Sequence, residues 1–327
     1  MKIKWFWHSV LFLICLNIVF SKGKAQETVA PLIENKASIL NYPDTLNKKR
    51  FVPMFSAMSG IYVGAMVGLN FMWYSNYERS KFHWFNDNGE WQQVDKCGHA
   101  FSAYFESEWA AHFYRWAGVS RKKAAIYGPL SAFIYQGSIE LLDGFSTKWG
   151  ASYGDIISNT SGLALYGFQE YYWEEQRIRL KVSTHKPHFN DVQLQQRSND
   201  LYGNTPIELL MKDYNAVSNW LSINPKSFLK NAKGLPAWLN ISFGYSAENM
   251  YGGYSNVWID KNGQSINRND VTRYRQFFIS PDVDLSRIKT NKRGLKLLLG
   301  ALNIFKIPAP AIEFNTVGKT RLHWIYF

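Results

Sequence analysis

The chain has 327 residues, a formal net charge of +12 and an aromatic content of 17%, with 13 Trp and 19 Tyr. Tryptophan and tyrosine are favoured where a protein meets the membrane–water interface, and this length suffices for one large domain or two ordinary ones. The cysteines are Cys15 and Cys97, so an intramolecular disulfide is excluded once the N-terminal segment is removed.

The first residues predict export from the cytoplasm. A basic start precedes an apolar run, and Gly23 and Ala25 are the small residues that cleavage before Gln26 requires. Residues 1–25 are therefore predicted to be a signal peptide, with an uncleaved signal anchor as the alternative. Cys15 follows two large residues, so lipidation there is not expected. An exported chain belongs in the cell envelope, associated with the outer membrane or its periplasmic face, which argues against a nucleic-acid partner.

The composition of the remaining chain changes from region to region. The predicted regions are a polar linker over residues 26–50, a helical bundle with a polar core over 51–175, a polar connector with one or two helices over 176–233, and a basic β-rich region over 234–327. The predicted fold class is α+β, a membrane-associated bundle of about four helices followed by a small antiparallel β-rich C-terminal region.

Four helices are predicted in the bundle region. The first, over residues 54–74, carries no charge and is long enough to cross the hydrocarbon core of a membrane. Its Gly60, Gly64 and Gly68 repeat at every fourth position, a pattern that allows another helix to approach closely. The remaining helices are predicted over residues 96–116, 121–142 and 152–172.

Polar residues recur at spacings of three and four in three of these helices, so each set lies on one helix face. The sets are Asp95, His99, Ser102 and Glu106; Gln136, Glu140 and Asp143; and Ser152, Asp155 and Asn159. Because ionisable side chains that face lipid are costly, the three faces are predicted to meet in the bundle interior. Taken singly, some members have structural explanations: Asp95 could cap its helix, and Ser152 with Asp155 fits a capping box.

Glu140 and Asp143 resist a purely structural explanation. They fall in the last turn of their predicted helix, where the helix dipole disfavours negative charge. They therefore need a cation, which Lys96, Lys148 or His99 could supply, or a divalent metal ion or shared protons. The pattern is not that of a zinc site, and the signature of a serine hydrolase is absent.

The C-terminal region predicts strands and a positive charge. Strands are predicted over residues 238–246, 273–280, 283–288, 311–315 and 321–327, with a helix over 294–305. So few strands cannot close a transmembrane barrel, so a small sheet packed on the helices or on a partner is expected. Residues 226–327 hold 15 Lys and Arg against 6 Asp and Glu, a net of +9. Anionic lipid or lipopolysaccharide is the expected partner, with a solvated basic surface as the alternative.

The polar residues also carry a resemblance to a known family. The motifs that carry it are Asp95-Lys96-x-x-His99, Glu140-x-x-Asp143 and Gly150-Ala151-Ser152-x-x-Asp155, with Asn159 and Gly162. Over about residues 50–175 they resemble the YfiM-like family of uncharacterised predicted periplasmic lipoproteins, and more distantly VanZ-like membrane proteins. The β-rich extension resembles long versions of the family in Bacteroidetes-type bacteria. Because the family has no established reaction, the resemblance indicates where a site lies and not its chemistry.

Two functions follow from these residues. The first is a polar pocket that binds, and in an extended form hydrolyses or modifies, the headgroup of an envelope lipid or glycolipid. The roles assigned are catalytic for His99, Asp95 and Glu140; substrate-binding for Lys96, Ser102, Ser152 and Asn159; and divalent-metal binding for Glu140, Asp143 and Asp155. The second is a structural or accessory subunit of an envelope or outer-membrane complex. The sequence leaves open whether the protein is an enzyme and whether it uses a cofactor.

Overall fold

The computed structural model describes residues 41–75, 77–185, 189, 191–203, 205, 208–209 and 212–327. The predicted signal peptide, Cys15 and most of the polar linker lie outside the described residues. Residues 40–327 form one compact unit by their contacts.

The described chain contains helices in both halves and strands in the C-terminal half, which confirms the α+β class. The helices are α1 (Lys48–Leu69), α2 (Val94–Trp116), α3 (Arg121–Asp143), α4 (Tyr153–Phe168), α5 (Val192–Tyr202), α6 (Pro225–Phe228) and α7 (Arg293–Leu302). The strands are β1 (Ile178–Thr184), β2 (Val217–Ile223), β3 (Leu239–Glu248), β4 (Val257–Ile259), β5 (Ser265–Asn267), β6 (Tyr274–Val283), β7 (Ala309–Asn315) and β8 (Thr320–Tyr326).

Helices α2, α3 and α4 pack closely because small residues lie at their crossings. A Cβ atom on Gly162 of α4 would lie 2.1 Å from the carbonyl oxygen of Ala100 in α2. A Cβ atom on Gly128 of α3 would lie 2.5 Å from the carbonyl oxygen of Ser107, also in α2. Only a residue without a side chain fits either position, so α2 forms the centre of a three-helix core.

Helix α1 lies against this core at few points. The Tyr62 hydroxyl lies 2.8 Å from the Ser138 hydroxyl of α3, and only Met54 and Met66 are buried among its 22 residues. The closely packed unit is therefore three helices, and not the four that were expected. Within the described chain, α1 is the one helix long and apolar enough to cross a membrane by length and composition.

The repeated glycines of α1 do not form the close helix contact that their spacing allows. A Cβ atom on Gly60, Gly64 or Gly68 would meet no described atom within 4 Å. The close approaches are instead made to α2, whose backbone lies against Gly128 of α3 and Gly162 of α4.

Six antiparallel strands form the main sheet in the order β1-β2-β3-β6-β7-β8, while β4 and β5 form a separate hairpin. Residues 304–306 lie beside the β1 edge: the Val182 N–H donates to the Ile304 carbonyl, and the Lys306 N–H donates to the Val182 carbonyl. The sheet therefore curls, and its first strand meets the segment that leads into β7.

Three predictions for this half need correction. Strands β1 and β2 lie within residues 176–233, where a connector with helices was predicted. The strand predicted over 283–288 is wrong: β6, which was predicted to end at residue 280, continues to Val283, and Leu285–Arg287 form a short turn. The Asp284 side chain caps this turn by accepting from the Ser286 N–H. The helix predicted over 294–305 is α7, which ends three residues earlier than predicted.

Candidate polar site in the helical core

The Lys96 ammonium connects three carboxylates from separate segments. Its Nζ atom lies 2.7 Å from Asp87 in the loop before α2, 3.0 Å from Asp95 in α2 and 2.6 Å from Asp155 in α4. All four side chains are at most 17% exposed. Burial alone would lower the pKa of Lys96, but Asp95 and Asp155 outweigh it and raise that pKa above its ordinary value, so this cation stays charged.

His99 lies one turn beyond Lys96 and faces acceptors on both sides of its ring. Nε2 is 3.5 Å from Asp155 and 3.8 Å from Asp95, while Nδ1 is 3.2 Å from Asn159 Oδ1 and 4.0 Å from Glu140 Oε1. Burial alone would lower the pKa of His99, but the surrounding carboxylates, Asp95 foremost, raise it above its ordinary value. The side chain is 20% exposed.

The start of α4 joins the carboxylates to one another. Ser152 caps the helix by accepting from the Asp155 N–H at 3.1 Å, as the capping-box pattern predicts. The Ser152 hydroxyl donates to Asp87 at 2.5 Å, and its N–H donates to Glu140 Oε2 at 3.1 Å. One residue therefore holds three acids of the site in place.

Burial and hydrogen bonds account for acids at the end of α3. Asp143 accepts from the Tyr74 hydroxyl at 2.8 Å, and burial raises the pKa of Asp143 to about 7. Burial also raises the pKa of Glu140, and the Ser152 N–H opposes part of that rise. Because burial raises both pKa values, a proton binds these acids more readily than usual, which reduces their conflict with the helix dipole.

Another acid, which is partly buried, lies two turns beyond His99. Glu106 Oε1 accepts from Gln136 Nε2 at 2.9 Å, and burial raises the pKa of Glu106 to about 8. This carboxyl group is therefore largely protonated at neutral pH, which lowers the cost of burying it.

The approach to α2 has an unusual backbone. Trp91, Gln92 and Gln93 have φ values of 48°, 51° and 65°, a left-handed conformation that costs about 1 kcal/mol or more for each residue other than glycine. The Trp91 N–H donates to the Gly253 carbonyl at 2.8 Å, and the Tyr245 hydroxyl donates to the Gln92 carbonyl. Contacts from the C-terminal half therefore hold this turn, which sets where Asp95 and Lys96 begin the helix.

The structure brings most of the predicted site residues together. Those that meet are Asp95, Lys96, His99, Glu140, Ser152, Asp155 and Asn159. Asp143 instead forms its hydrogen bond with Tyr74, and Ser102 lies on α2 one turn after His99.

Sequence reasoning missed Asp87 and Tyr214, whose hydroxyl donates to Asp95 at 2.8 Å. Asp87 lies in an Asn-Asp-Asn-Gly stretch, which is typical of a turn, and Tyr214 is 119 positions from its partner. Neither position carries a local signal for the site.

The geometry also bears on the divalent ion. Among the described residues, Asp95, His99 and Asp155 can offer ligand atoms that lie within 4.8 Å of one another. Two carboxylates and an imidazole are suitable donors, but Lys96 already binds both acids. A metal ion would have to compete with this ammonium. The metal set Glu140, Asp143 and Asp155 stays a prediction.

One family model matches the chain. It is described as predicted periplasmic lipoprotein (DUF2279) and covers residues 82–170, which is 89 of the 327 residues. No curated protein and no solved structure matches. The match supports an exported, envelope-associated protein related to an uncharacterised periplasmic lipoprotein family. The matched segment contains Lys96, His99 and every acid described above, and it ends before the first strand of the sheet.

Proposed function

We propose that the polar cluster of α2, α3 and α4 binds the headgroup of an envelope lipid or glycolipid through ammonium or hydroxyl groups of that headgroup. One observation carries the proposal. Glu140 Oε1 lies 4.0 Å from His99 Nδ1, is buried and accepts no hydrogen bond from the residues that the structure describes. A buried acceptor without a donor is costly, and a donor-rich ligand beside His99 removes that cost.

The charge balance of the cluster favours the same class of ligand. The acidic members are Asp87, Asp95, Glu140 and Asp155. The basic members are Lys96 and His99. Acceptors outnumber donors even where acids hold protons, so an ammonium or a sugar hydroxyl complements the site better than a phosphate does.

The apolar surface of the same helices supports a lipid over a soluble ligand. A groove between α3 and α4 is lined by apolar residues, among them Ile126, Pro129, Leu163 and Phe168. Pro129 precedes Glu140 by 11 residues, about 17 Å along the helix. A molecule with a polar head and a long chain matches a polar end and an apolar end on one pair of helices.

His99 is the residue through which the site exchanges protons. Because carboxylates raise its pKa, the imidazolium form persists to a higher pH than in a free histidine. In the bound state Asp95 and Asp155 stabilise its charge, while Glu140 Oε1 accepts from the ammonium or hydroxyl group of the headgroup. That the site also hydrolyses or modifies the headgroup is a further proposal. Membership of the YfiM-like family and a relationship to VanZ-like proteins are likewise proposed.

The test is a binding measurement on the purified full chain. Calorimetry with short-chain phosphatidylethanolamine supplies an ammonium headgroup, phosphatidylglycerol of the same chain length supplies hydroxyls, and Ca²⁺ alone supplies a metal. We expect saturable binding of the ethanolamine lipid and at least a tenfold loss of affinity in His99→Ala and Glu140→Gln. Glu108→Gln is the matched control, because Glu108 lies on α2 but pairs with Arg179 at 2.8 Å, away from the cluster.

Each alternative result has a definite reading. If wild-type protein binds neither lipid, or if both site variants bind as the wild type does, the proposal is wrong. If Ca²⁺ binds while the lipids do not, the cluster is a metal site.

A second function, a structural or accessory subunit, is favoured by one observation. The cluster joins segments that are far apart in sequence, since the Asp87 loop, α2 and α4 meet at Lys96 and the connector contributes Tyr214. Under this alternative, His99→Ala and Glu140→Gln lower stability and cellular abundance together without changing any lipid affinity. A stoichiometric partner in native membrane purification would support it.

A further inference from the structure

The main sheet exposes an apolar outer face. Large apolar side chains lie opposite one another from strand to strand, and the outer row is Leu221, Phe243, Ile279, Ile312 and Leu322. Each of these five side chains is between 38% and 57% exposed. Five strands at about 4.8 Å spacing make this row about 19 Å wide.

The same row continues under the helical core. Leu180 of β1 pairs with Leu221 and packs against the buried cluster around Tyr104 of α2. A second row, which includes Phe277 and Phe314, lies beside the first and is also exposed. The apolar face is therefore covered by the helical core at β1 and exposed from β2 to β8.

The inner face of the sheet combines a small buried cluster of Trp220, Phe278, Ala311 and Tyr326 with many polar side chains. Lys181 and Asp282 form an ion pair of 2.9 Å, and both side chains are fully buried. Ser222 donates to Asp282 at 2.7 Å, and His323 lies 2.7 Å from the buried Glu313. A sheet in water normally exposes its more polar face, whereas this sheet buries these polar side chains and exposes its apolar rows. Strands that face lipid show the reversed pattern.

Helix α7 extends the apolar surface and adds positive charge. Leu295, Leu297, Leu298 and Leu302 are each more than 40% exposed. Lys292 precedes this helix and Lys296 lies within it, in a region whose net charge is +9. Leucines and lysines combined on one helix are typical of helices that lie in a membrane interface.

We infer that the outer face of strands β2, β3, β6, β7 and β8 lies in the hydrocarbon of a bilayer that contains anionic lipid, with α7 at the headgroup level. Lipid is favoured over a protein partner because the central row offers no hydrogen-bonding side chain, whereas a protein interface carries roughly one hydrogen bond per 100–200 Å². The basic residues around α7 match anionic headgroups. This inference is independent of the headgroup site in the helical core.

The test places a fluorescent probe at single cysteines of the full chain. In a Cys15→Ala, Cys97→Ala background, an environment-sensitive dye is attached at Phe243→Cys, Ile279→Cys or Phe314→Cys. The protein is reconstituted in vesicles of phosphatidylethanolamine and phosphatidylglycerol whose acyl chains carry nitroxide quenchers. We expect at least a twofold loss of emission at all three positions. Lys261→Cys is the control, because that side chain is 83% exposed between β4 and β5 and should not be quenched.

Two results would overturn the inference. Equal emission at the sheet positions with and without quencher places this face outside the hydrocarbon. A copurifying protein that blocks labelling of the three sheet cysteines, but not of the Lys261 cysteine, identifies a protein and not lipid as the occupant.

A second measurement tests whether the lysines near α7 contact anionic lipid. Lys292→Gln and Lys296→Gln should each lower partition of the full chain onto vesicles that contain phosphatidylglycerol, by about fivefold per lysine at low salt. Partition onto neutral phosphatidylcholine vesicles should not change. An equal loss on both vesicle types would contradict the role of anionic lipid.

Discussion

At the scale of single residues, Lys96 decides whether the acidic cluster is stable. Three carboxylates approach within 3.0 Å of its ammonium, and their side chains are mostly buried. Removing one partner from a buried ionic cluster leaves charges that neither water nor protein compensates. The site therefore depends more on this cation than on any single acid.

Lys96→Met should lower the free energy of unfolding by about 3–5 kcal/mol, as is typical when a buried charge loses its partner. Chemical denaturation of the purified protein measures this change. The matched control is Lys261→Met, where an exposed pair with Asp200 should contribute less than about 1 kcal/mol. Similar losses in the two variants would show that the cluster does not depend on Lys96.

Glu106 makes stability depend on pH in a defined direction. Its pKa is about 8 in the folded chain and 4.5 as its ordinary value. Between these values the folded chain holds a proton that the unfolded chain has lost, so the free energy of unfolding falls as pH rises. Burial also raises the pKa of Asp155, to about 7, which acts in the same direction.

Glu106→Gln should remove part of this decrease in the free energy of unfolding. The part removed between pH 5 and 8 should be on the order of 3 kcal/mol, because each unit of pKa shift corresponds to about 1.4 kcal/mol. Denaturation curves of the variant and the wild type at several pH values measure the difference. The exposed Glu174→Gln should keep the wild-type slope. A Glu106→Gln slope equal to the wild-type slope would mean that Glu106 titrates normally.

At the scale of elements, the crossing of α2 and α4 positions the acids. Gly162→Ala would place a methyl group 2.1 Å from the Ala100 carbonyl oxygen, so α4 must move away from α2. We expect a loss of about 1–3 kcal/mol in unfolding free energy, as for other overpacked sites. Gly60→Ala is the control, because its position is open and alanine favours a helix by up to about 1 kcal/mol. Equal effects would contradict a close crossing at Gly162.

The helices were predictable because their apolar and polar residues repeat at helical spacing. The predicted helix over 121–142 is α3, which ends one residue later, and the polar positions of α2 and α4 converge as expected. Spacing within one helix could not indicate the contributions of Asp87 and Tyr214, because these depend on how distant segments fold back.

The strands were harder to predict because their alternation does not indicate which face is buried. Strand β1 contains Arg179, Lys181 and Ser183, which look like surface residues. Lys181 and Ser183 are fully buried, and Arg179 pairs with Glu108 of α2. Partners far along the chain, such as Asp282, make this burial possible, so the sequence alone suggested a polar connector.

At the scale of the whole molecule, apolar surface is exposed on the helical part and on the sheet. The side chains of Val52 and Ile61 in α1, and of Phe71 just beyond its end, are each more than 60% exposed. The outer row of the sheet adds five more large exposed side chains. Exposed apolar area of this extent is unusual for a protein surrounded by water. It supports the proposed contact between the sheet and a membrane.

The double variant Phe243→Glu with Ile279→Glu should weaken retention of the full chain in membranes washed with alkaline carbonate. Both side chains point away from the inner face, so the circular dichroism spectrum should remain unchanged. Immunoblotting of pellet and supernatant measures retention, and Lys261→Glu serves as the control. Full retention of a folded double variant would mean that the sheet does not contribute to membrane attachment.

The convergence of three helices around His99 is the feature on which the proposed function depends most directly. Histidine NMR of the full chain across a pH titration measures the pKa of this side chain in the wild type and in Asp155→Asn. The geometry predicts a wild-type pKa above the ordinary 6.5 and a lower value in the variant, because Asp155 lies 3.5 Å from Nε2. A wild-type value at or below 6.5 that the substitution does not change would contradict the predicted cluster.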